Sequence, residues 1–372
     1  MRKLTGIFFA PLAGLLLMGF AAQSLHASRL TPKEPNANNA NIGGCPMFPA
    51  NSVFNTKIVA LPTDARSADY VASIGTNTKL HPDFGTVYNG GPIGIPYVAV
   101  PTTQPLVPVV FDEPAESDPG PYPIPPNAPV EFGSDRHVLV VREGDCKLYE
   151  TGVSVKQANG SWTAFSGAVW DLDSNALRPD TWTSADAAGL PMLPLLARYD
   201  EVQTGQINHA MRFTADITRR AYVWPGRHYA SSNTQANRPP LGQRFRLKAS
   251  VNVEAMTISA EAKVIFRALQ EYGMFLADNG SNWYISGAPD SRWNDDELVT
   301  AFAQLKGSDF EAVDESSLIV NKDSGEAKQV GVPGSTATPT PTATPSVSPT
   351  PTLSPTPFVA THWVYLPLAR KP

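Results

Sequence analysis

Apolar residues in this chain come in short runs, and clusters of Gly, Pro, Asn and Asp interrupt them. That punctuation predicts many short strands. Ile95 to Val100 is a proline-bounded run, and Leu106 to Phe111 is a second. After Arg136, the runs HVLVV and CKLYETGVSV flank the turn Glu143-Gly144-Asp145 and predict a hairpin. Asn159-Gly160 then marks a tight turn before SWTAFSGAVW, extending an antiparallel meander. Ile207 to Thr214 alternates, with Ile207, His209, Met211 and Phe213 on one face. RRAYVWPGRH is a following strand that ends in a turn. Gln243 to Val253 reads as half-exposed, with Arg244, Arg246 and Lys248 on the outer face. MFLAD, the Asn279-Gly280 turn and NWYISG predict another hairpin.

Helical spacing is rarer. A short helix is expected from roughly Ala65 to Ser73, with Asp64 or Ser67 as its cap, and YDEVQTG is a helical turn closed by Gly205. Ser259 to Tyr272 places Ala262, Ile265, Phe266 and Leu269 on one face, with Ser259 as cap and Gly273 as stop. SRWNDDELVTAFAQLKG is a last helix. Strands outnumber helices, so the predicted fold is mainly β: a mostly antiparallel β-sandwich or jelly-roll-like core with two or three peripheral helices. An α+β arrangement with the 259–272 helix on one sheet is the alternative.

The two ends break this pattern. Residues 1–27 join a basic start (Arg2, Lys3) to an apolar run from Ile7 to Ala22, with small residues before a cut after Ala27, as in a secretory signal peptide. Residues 28–44 read as a polar, Asn-rich linker and 45–325 as one globular core. Residues 326–357 form a Thr/Pro/Ser-rich stalk, and 358–372 an apolar and basic tail too short to span a bilayer. The expected location is extracellular or at the cell surface, with no membrane span after signal cleavage. Cys45 and Cys146, the two cysteines, are then expected to form a disulfide. A net charge of -5 supplies no basic field, so nucleic acid is not an expected partner. The chain is expected to be monomeric.

The densest chemistry lies between Gly189 and His228, with two histidines, five arginines and the acidic pair Asp200-Glu201. Export, a β-rich core and seven tryptophans point to extracellular polysaccharide or a cell-wall component as partner. His209, Arg198, Glu201, His228 and Asp278 are the catalytic candidates, and Arg227, Trp224, Tyr272 and Trp170 the substrate-binding ones. A glycoside hydrolase needs two carboxyl groups across a cleft, with Asp171, Asp186 or Asp278 partnering Glu201 or Asp200. A lyase acting on acidic glycans needs a base, His209 or Tyr272, and a cation, Arg198, Arg227 or His228. The clustered arginines and histidines favour the lyase. Against both stands a plainer reading: Arg198 and Glu201 as an ion pair near a helix end, and His209 as a satisfied core histidine. A non-catalytic glycan- or protein-binding module at the cell surface is the alternative function. No H-E-x-x-H or G-x-S-x-G string occurs, and DLDSN lacks both the glycine and the closing glutamate of a calcium loop. No metal or cofactor is expected.

The strings LPLLARYDEVQTGQINHAMRFT, RRAYVWPGRH and YGMFLADNGSNWYISGAPD, with SDPGPYPIP and DRHVLVV before them, resemble a family of uncharacterised secreted bacterial proteins. The resemblance covers roughly Cys45 to Asp314, and the stalk followed by VYLPLARK resembles a tail recurrent in such exported proteins. It implies export and one continuous core, and carries no catalytic set. Mass spectrometry of the exported protein should find Ser28 as the first residue; an intact Met1 to Ala27 segment on that material contradicts the signal-peptide reading.

Overall fold

The computed structural model describes residues 41–328. The segments expected as signal peptide, most of the linker, the stalk beyond residue 328 and the C-terminal tail lie outside the described residues. Ten strands carry the core: β1 (His81–Asp83), β2 (Tyr97–Val100), β3 (Val138–Arg142), β4 (Lys147–Gly152), β5 (Ser166–Asp171), β6 (Met211–Ala215), β7 (Arg244–Leu247), β8 (Met274–Asn279), β9 (Tyr284–Ser286) and β10 (Phe310–Ala312). Among the described residues four α-helices accompany them: α1 (Ser67–Ile74), α2 (Tyr199–Thr204), α3 (Ala260–Glu271) and α4 (Asp295–Phe302). The fold is mainly β, with few helices. None of the helices among the described residues is long and apolar enough to cross a membrane.

One sheet has the order β5-β4-β3-β2, and a second the order β10-β7-β8-β6-β9-β1. The hairpin around Glu143-Gly144-Asp145 forms as expected, with Val138 opposite Thr151 and Arg142 opposite Lys147. Along β3 the side chains alternate between two cores. Leu139 and Val141 enter the main one, while Val138 and Val140 meet Tyr122, Ile124, Tyr149 and Trp162 on the other face. Tyr122 and Ile124 belong to the acidic, proline-rich stretch before β3. That stretch wraps the outer face of the four-stranded sheet and brings Glu116 with it.

Both sheets mix parallel and antiparallel pairs. β2 runs parallel to β3, β6 to β8, and β9 to β1. The predicted MFLAD/NWYISG hairpin does not form: β8 and β9 lie on opposite edges of β6, which is inserted between them. Burial of Trp283 opens the turn. Its ring stacks on Phe213 at 5.4 Å and Phe310 at 5.3 Å, and its indole N–H donates to the Gly75 carbonyl. The amides of Gly280 and Trp283 then pair with Ala215 and Thr214 of β6 instead of closing a hairpin.

The alternation along 243–253 also misplaces one charge. Arg244 is fully buried, because the segment Val53 to Thr56 covers its face of β7. Its guanidinium donates to the carbonyls of Val53, Thr56 and Tyr272 and to Glu315. Helix α3 meets its expectation: the Ser259 hydroxyl caps it by accepting from the Ala262 amide, and Ala262, Ile265, Phe266 and Leu269 are buried.

Cys45 and Cys146 are bonded, with Cα atoms 5.2 Å apart, closing a sequence separation of 101 residues. In the chain-entropy account a loop of that length constrains the unfolded chain by about 4–5 kcal/mol. The double replacement Cys45→Ser/Cys146→Ser should lower unfolding stability by about that amount in a denaturant titration. A loss below about 1 kcal/mol would contradict the account.

Candidate functional site

The sequence candidates at the start of α2 do converge, but deep inside the protein. Glu201 lies 2.8 Å from Arg198 Nη2 as an ion contact and 3.1 Å from His209 Nε2, while His209 Nδ1 donates to the Ala210 carbonyl at 2.8 Å. Arg198 Nη1 donates to the Leu193 carbonyl. Arg198, Glu201 and His209 are 2%, 6% and 3% exposed, so solvent scarcely touches them. Burial alone would raise the Glu201 pKa; Arg198 and His209 outweigh it and hold the carboxylate below its usual range. The arrangement is that of an internal brace between α2 and the segment leading into β6.

The four substrate-binding candidates are engaged in packing. Arg227 is buried and donates to Asp323 and the Lys322 carbonyl, and Trp224 donates to the Ser324 carbonyl, so together they hold the returning chain. Trp170 is buried against Phe48 and donates to Glu150. Tyr272 is buried, with the Lys57 ammonium over its ring. DLDSN makes a capped turn, in which Asp171 accepts from the Asp173 amide and pairs with Lys147.

The remaining two candidates, His228 and Asp278, meet at a different place, the segment Thr183 to Gly189. Its polar groups engage neighbours on every side. The Ala185 carbonyl accepts from His137 Nε2 at 3.1 Å. Asp186, 1% exposed, takes Arg212 Nη2 at 2.9 Å and Nε at 3.2 Å, and Arg212 Nη1 donates to Ser286 at 2.8 Å. The Ala187 amide donates to Asp278 at 3.3 Å, and its carbonyl accepts from His228 Nδ1 at 2.9 Å. Gly189 has φ +69°, and a Cβ there would lie 2.6 Å from the Trp182 carbonyl, so the chain turns where only glycine fits.

The wrap is fastened to this segment by Arg178, which donates to the Thr183 and Glu116 carbonyls and pairs with Asp118. The Glu116 side chain accepts from the Thr183 amide and stands 3.9 Å from His228 Nε2, too far for a hydrogen bond. A carbonyl can only accept, so Nδ1 of His228 carries a proton. In the neutral ring Nε2 is then the basic atom, facing Glu116 on the half-buried side of the residue.

Burial, and then the charge of Asp186, raise the pKa of Asp278; burial raises that of Asp186 against the pull of Arg212. Arg212 contacts Asp186 twice, so of the two Asp186 ionises more readily and half-buried Asp278 holds its proton to higher pH. His137 joins the same cluster. Burial opposes its charge, but the Glu131 carboxylate overrides this and lifts its pKa to about 9.

Sequence reasoning named His228, Asp278 and Asp186 but missed Arg212, His137, Glu131, Glu116 and Ser286 as members. An available signal was Arg212 itself, a charge in the middle of an apolar strand that is buried on both faces. Among the described residues no group of three or more His, Cys, Asp or Glu side chains is placed to hold a metal ion. One concavity, of about 450 Å³, is lined by Val59, Arg246, Val251, Glu254 and Gln270 and contains none of this cluster. Another, of about 150 Å³, is lined in part by Glu131. No protein-family model, curated protein or solved structure matches the chain.

The raised His137 pKa fixes a sign. Its stabilisation is full below the unfolded histidine value near 6.5 and is lost as pH rises through about 9. Unfolding free energy should therefore fall by up to about 3 kcal/mol across that window. His137→Gln should flatten that part of the profile in denaturant titrations, and an unchanged slope would remove the residue from the account.

Proposed function

We propose that this chain is an extracellular or cell-surface lyase of acidic polysaccharide, with His228 as general base and Asp278 as general acid. The observation that carries the reading is the Ala187 backbone, whose two polar groups each hold one of the pair: its carbonyl fixes the His228 tautomer and its N–H donates to the Asp278 carboxyl. Elimination needs one group of each kind and consumes no water. Nε2 of His228 takes the proton on the carbon α to a uronate carboxylate, the bond from the β-carbon to the glycosidic oxygen breaks, and Asp278 protonates the leaving oxygen. The products are an unsaturated uronate and a new reducing end. General acid–base terms of this kind contribute about 10²- to 10⁴-fold each.

Glu116 supports His228 from the same side as its basic nitrogen, since its carboxylate stands 3.9 Å from Nε2 and stabilises the positive charge that forms on the ring when the base takes its proton. The alternative is a glycan-binding surface without catalysis. What favours it is that the concavity of about 450 Å³ contains neither His228 nor Asp278.

The full chain, incubated with a panel of acidic polysaccharides, should raise ultraviolet absorbance as unsaturated uronate accumulates. His228→Ala and Asp278→Asn should each lower that rate by about 10²-fold or more, while His209→Ala should show its effect in stability. Polymer that is bound but left intact by the wild type would select the binding-module reading, and loss of turnover confined to His209→Ala would return the site to the α2 brace.

A further inference from the structure

Beside His228 the chain builds a strip of half-buried aromatic rings. Tyr229 lies with its ring 3° from the plane of His228 at 5.7 Å, and Tyr222 lies 13° from Tyr229 at 6.4 Å. Both tyrosines border the turn that contains Trp224, Pro225 and Gly226. The Arg220 guanidinium rests 5.6 Å from the centre of the Tyr229 ring, and its Nε donates to the Tyr229 hydroxyl at 3.3 Å. Arg220 is exposed, and among the described residues no carboxylate forms an ion pair with it. Other arginines around this edge are paired: Arg227 holds Asp323, Arg212 holds Asp186 and Arg178 holds Asp118. Tyr222 is fixed separately, its hydroxyl donating to Asp180.

We infer that Arg220, Tyr229 and Tyr222 form a subsite that reads the carboxylate and ring of a sugar adjoining the one at His228, making the preferred substrate a polyuronate with carboxylates on successive residues. This rests on the proposed elimination at His228 for its position in the reaction, but its binding chemistry is separate. A guanidinium matches a carboxylate in a planar two-point contact, and its position over Tyr229 limits the rotamer freedom lost on binding. The parallel rings give the pyranose apolar surface beside that contact. A single isolated uronate would satisfy the base at His228 and leave Arg220 unused. Nucleic acid would also offer anions and stacking faces, but a chain of net charge -5 supplies no extended phosphate track around one exposed arginine.

The test is affinity electrophoresis and calorimetry of the full chain with polygalacturonate, alginate and glucuronan, each beside its methyl ester, and with a single-stranded oligonucleotide. The wild type should bind at least one polyuronate and bind its ester roughly tenfold more weakly. Arg220→Gln should weaken binding of the acid form roughly tenfold, as expected for one charged hydrogen-bonded contact, and Arg220→Lys should recover part of the loss. Tyr229→Ala should weaken both forms. The thermal midpoint of each variant checks that the fold is intact. The subsite is overturned if no polyuronate binds, if the ester binds equally, if the oligonucleotide binds as well as the best polyuronate, or if Arg220→Gln has no effect. Binding that follows the expected pattern without unsaturated product discards the elimination and keeps the subsite. Unsaturated product with unaltered binding by Arg220→Gln does the reverse.

Discussion

The buried pair of Asp186 and Arg212 is the contact on which the arrangement between the two sheets depends. Arg212 rises from the middle of β6, in the six-stranded sheet, between apolar Met211 and Phe213. A guanidinium buried there is strongly unfavourable unless its charge and donors are met. Asp186 meets the charge and Ser286, on the adjacent strand, takes a further donor. Satisfying Arg212 therefore fixes the path of Thr183 to Gly189 across the sheet. Once that path is fixed, the Ala185 carbonyl reaches His137 at the start of the other sheet. The segment thus ties the sheets together through backbone groups that would otherwise be buried unpaired.

Two further buried charges repeat this logic wholly inside the protein. Glu150 accepts from Met192, Leu193 and Trp170, all from apolar surroundings, and ties β4 to the segment before α2. Arg244 gathers carbonyls of the N-terminal segment around Glu315, whose pKa burial raises to about 7. In both, every direction around the charge is occupied by protein. At Ala187 the satisfied backbone instead ends at half-buried side chains, Asp278 and His228, and the order of the interior is passed to groups that solvent can reach. The proline-rich wrap completes that edge: Arg178 clamps it, and Glu116 comes to the imidazole as a consequence.

Much of the local structure was legible because its causes are local. Gly144 sets the first hairpin turn, Ser259 and Gly273 bound α3, and Gly205 closes α2 in the left-handed conformation. The second hairpin was not legible: Asn279-Gly280 carries a turn pattern, but burying Trp283 among phenylalanines from distant strands wins over local pairing. Arg244 failed for a similar reason. Alternation assigns faces but cannot say that Val53 and Thr56, 191 and 188 positions earlier, will cover one of them. The site was legible in part. His228, Asp278 and Asp186 are individually visible as chemistry-bearing residues, whereas their convergence depends on a segment whose own sequence, SADAAG, carries little chemistry beyond one aspartate.

That difference also explains why density of functional groups is a poor guide to which side chains keep an uncommitted atom in this chain. His209 sits in the richest stretch, yet both of its ring nitrogens face fixed acceptors, Glu201 and the Ala210 carbonyl, inside the core. It has no nitrogen with which to take a substrate proton while those contacts last. His228 has fewer partners, and that is the relevant property: one nitrogen is committed to the Ala187 carbonyl, which sets the tautomer, and the other stays at 3.9 Å from the Glu116 carboxylate. A base must be oriented on one side and unsaturated on the other. Packing supplies the first condition throughout the interior of this protein; the second survives where the segment from Thr183 to Gly189 meets the half-buried edge beside Tyr229.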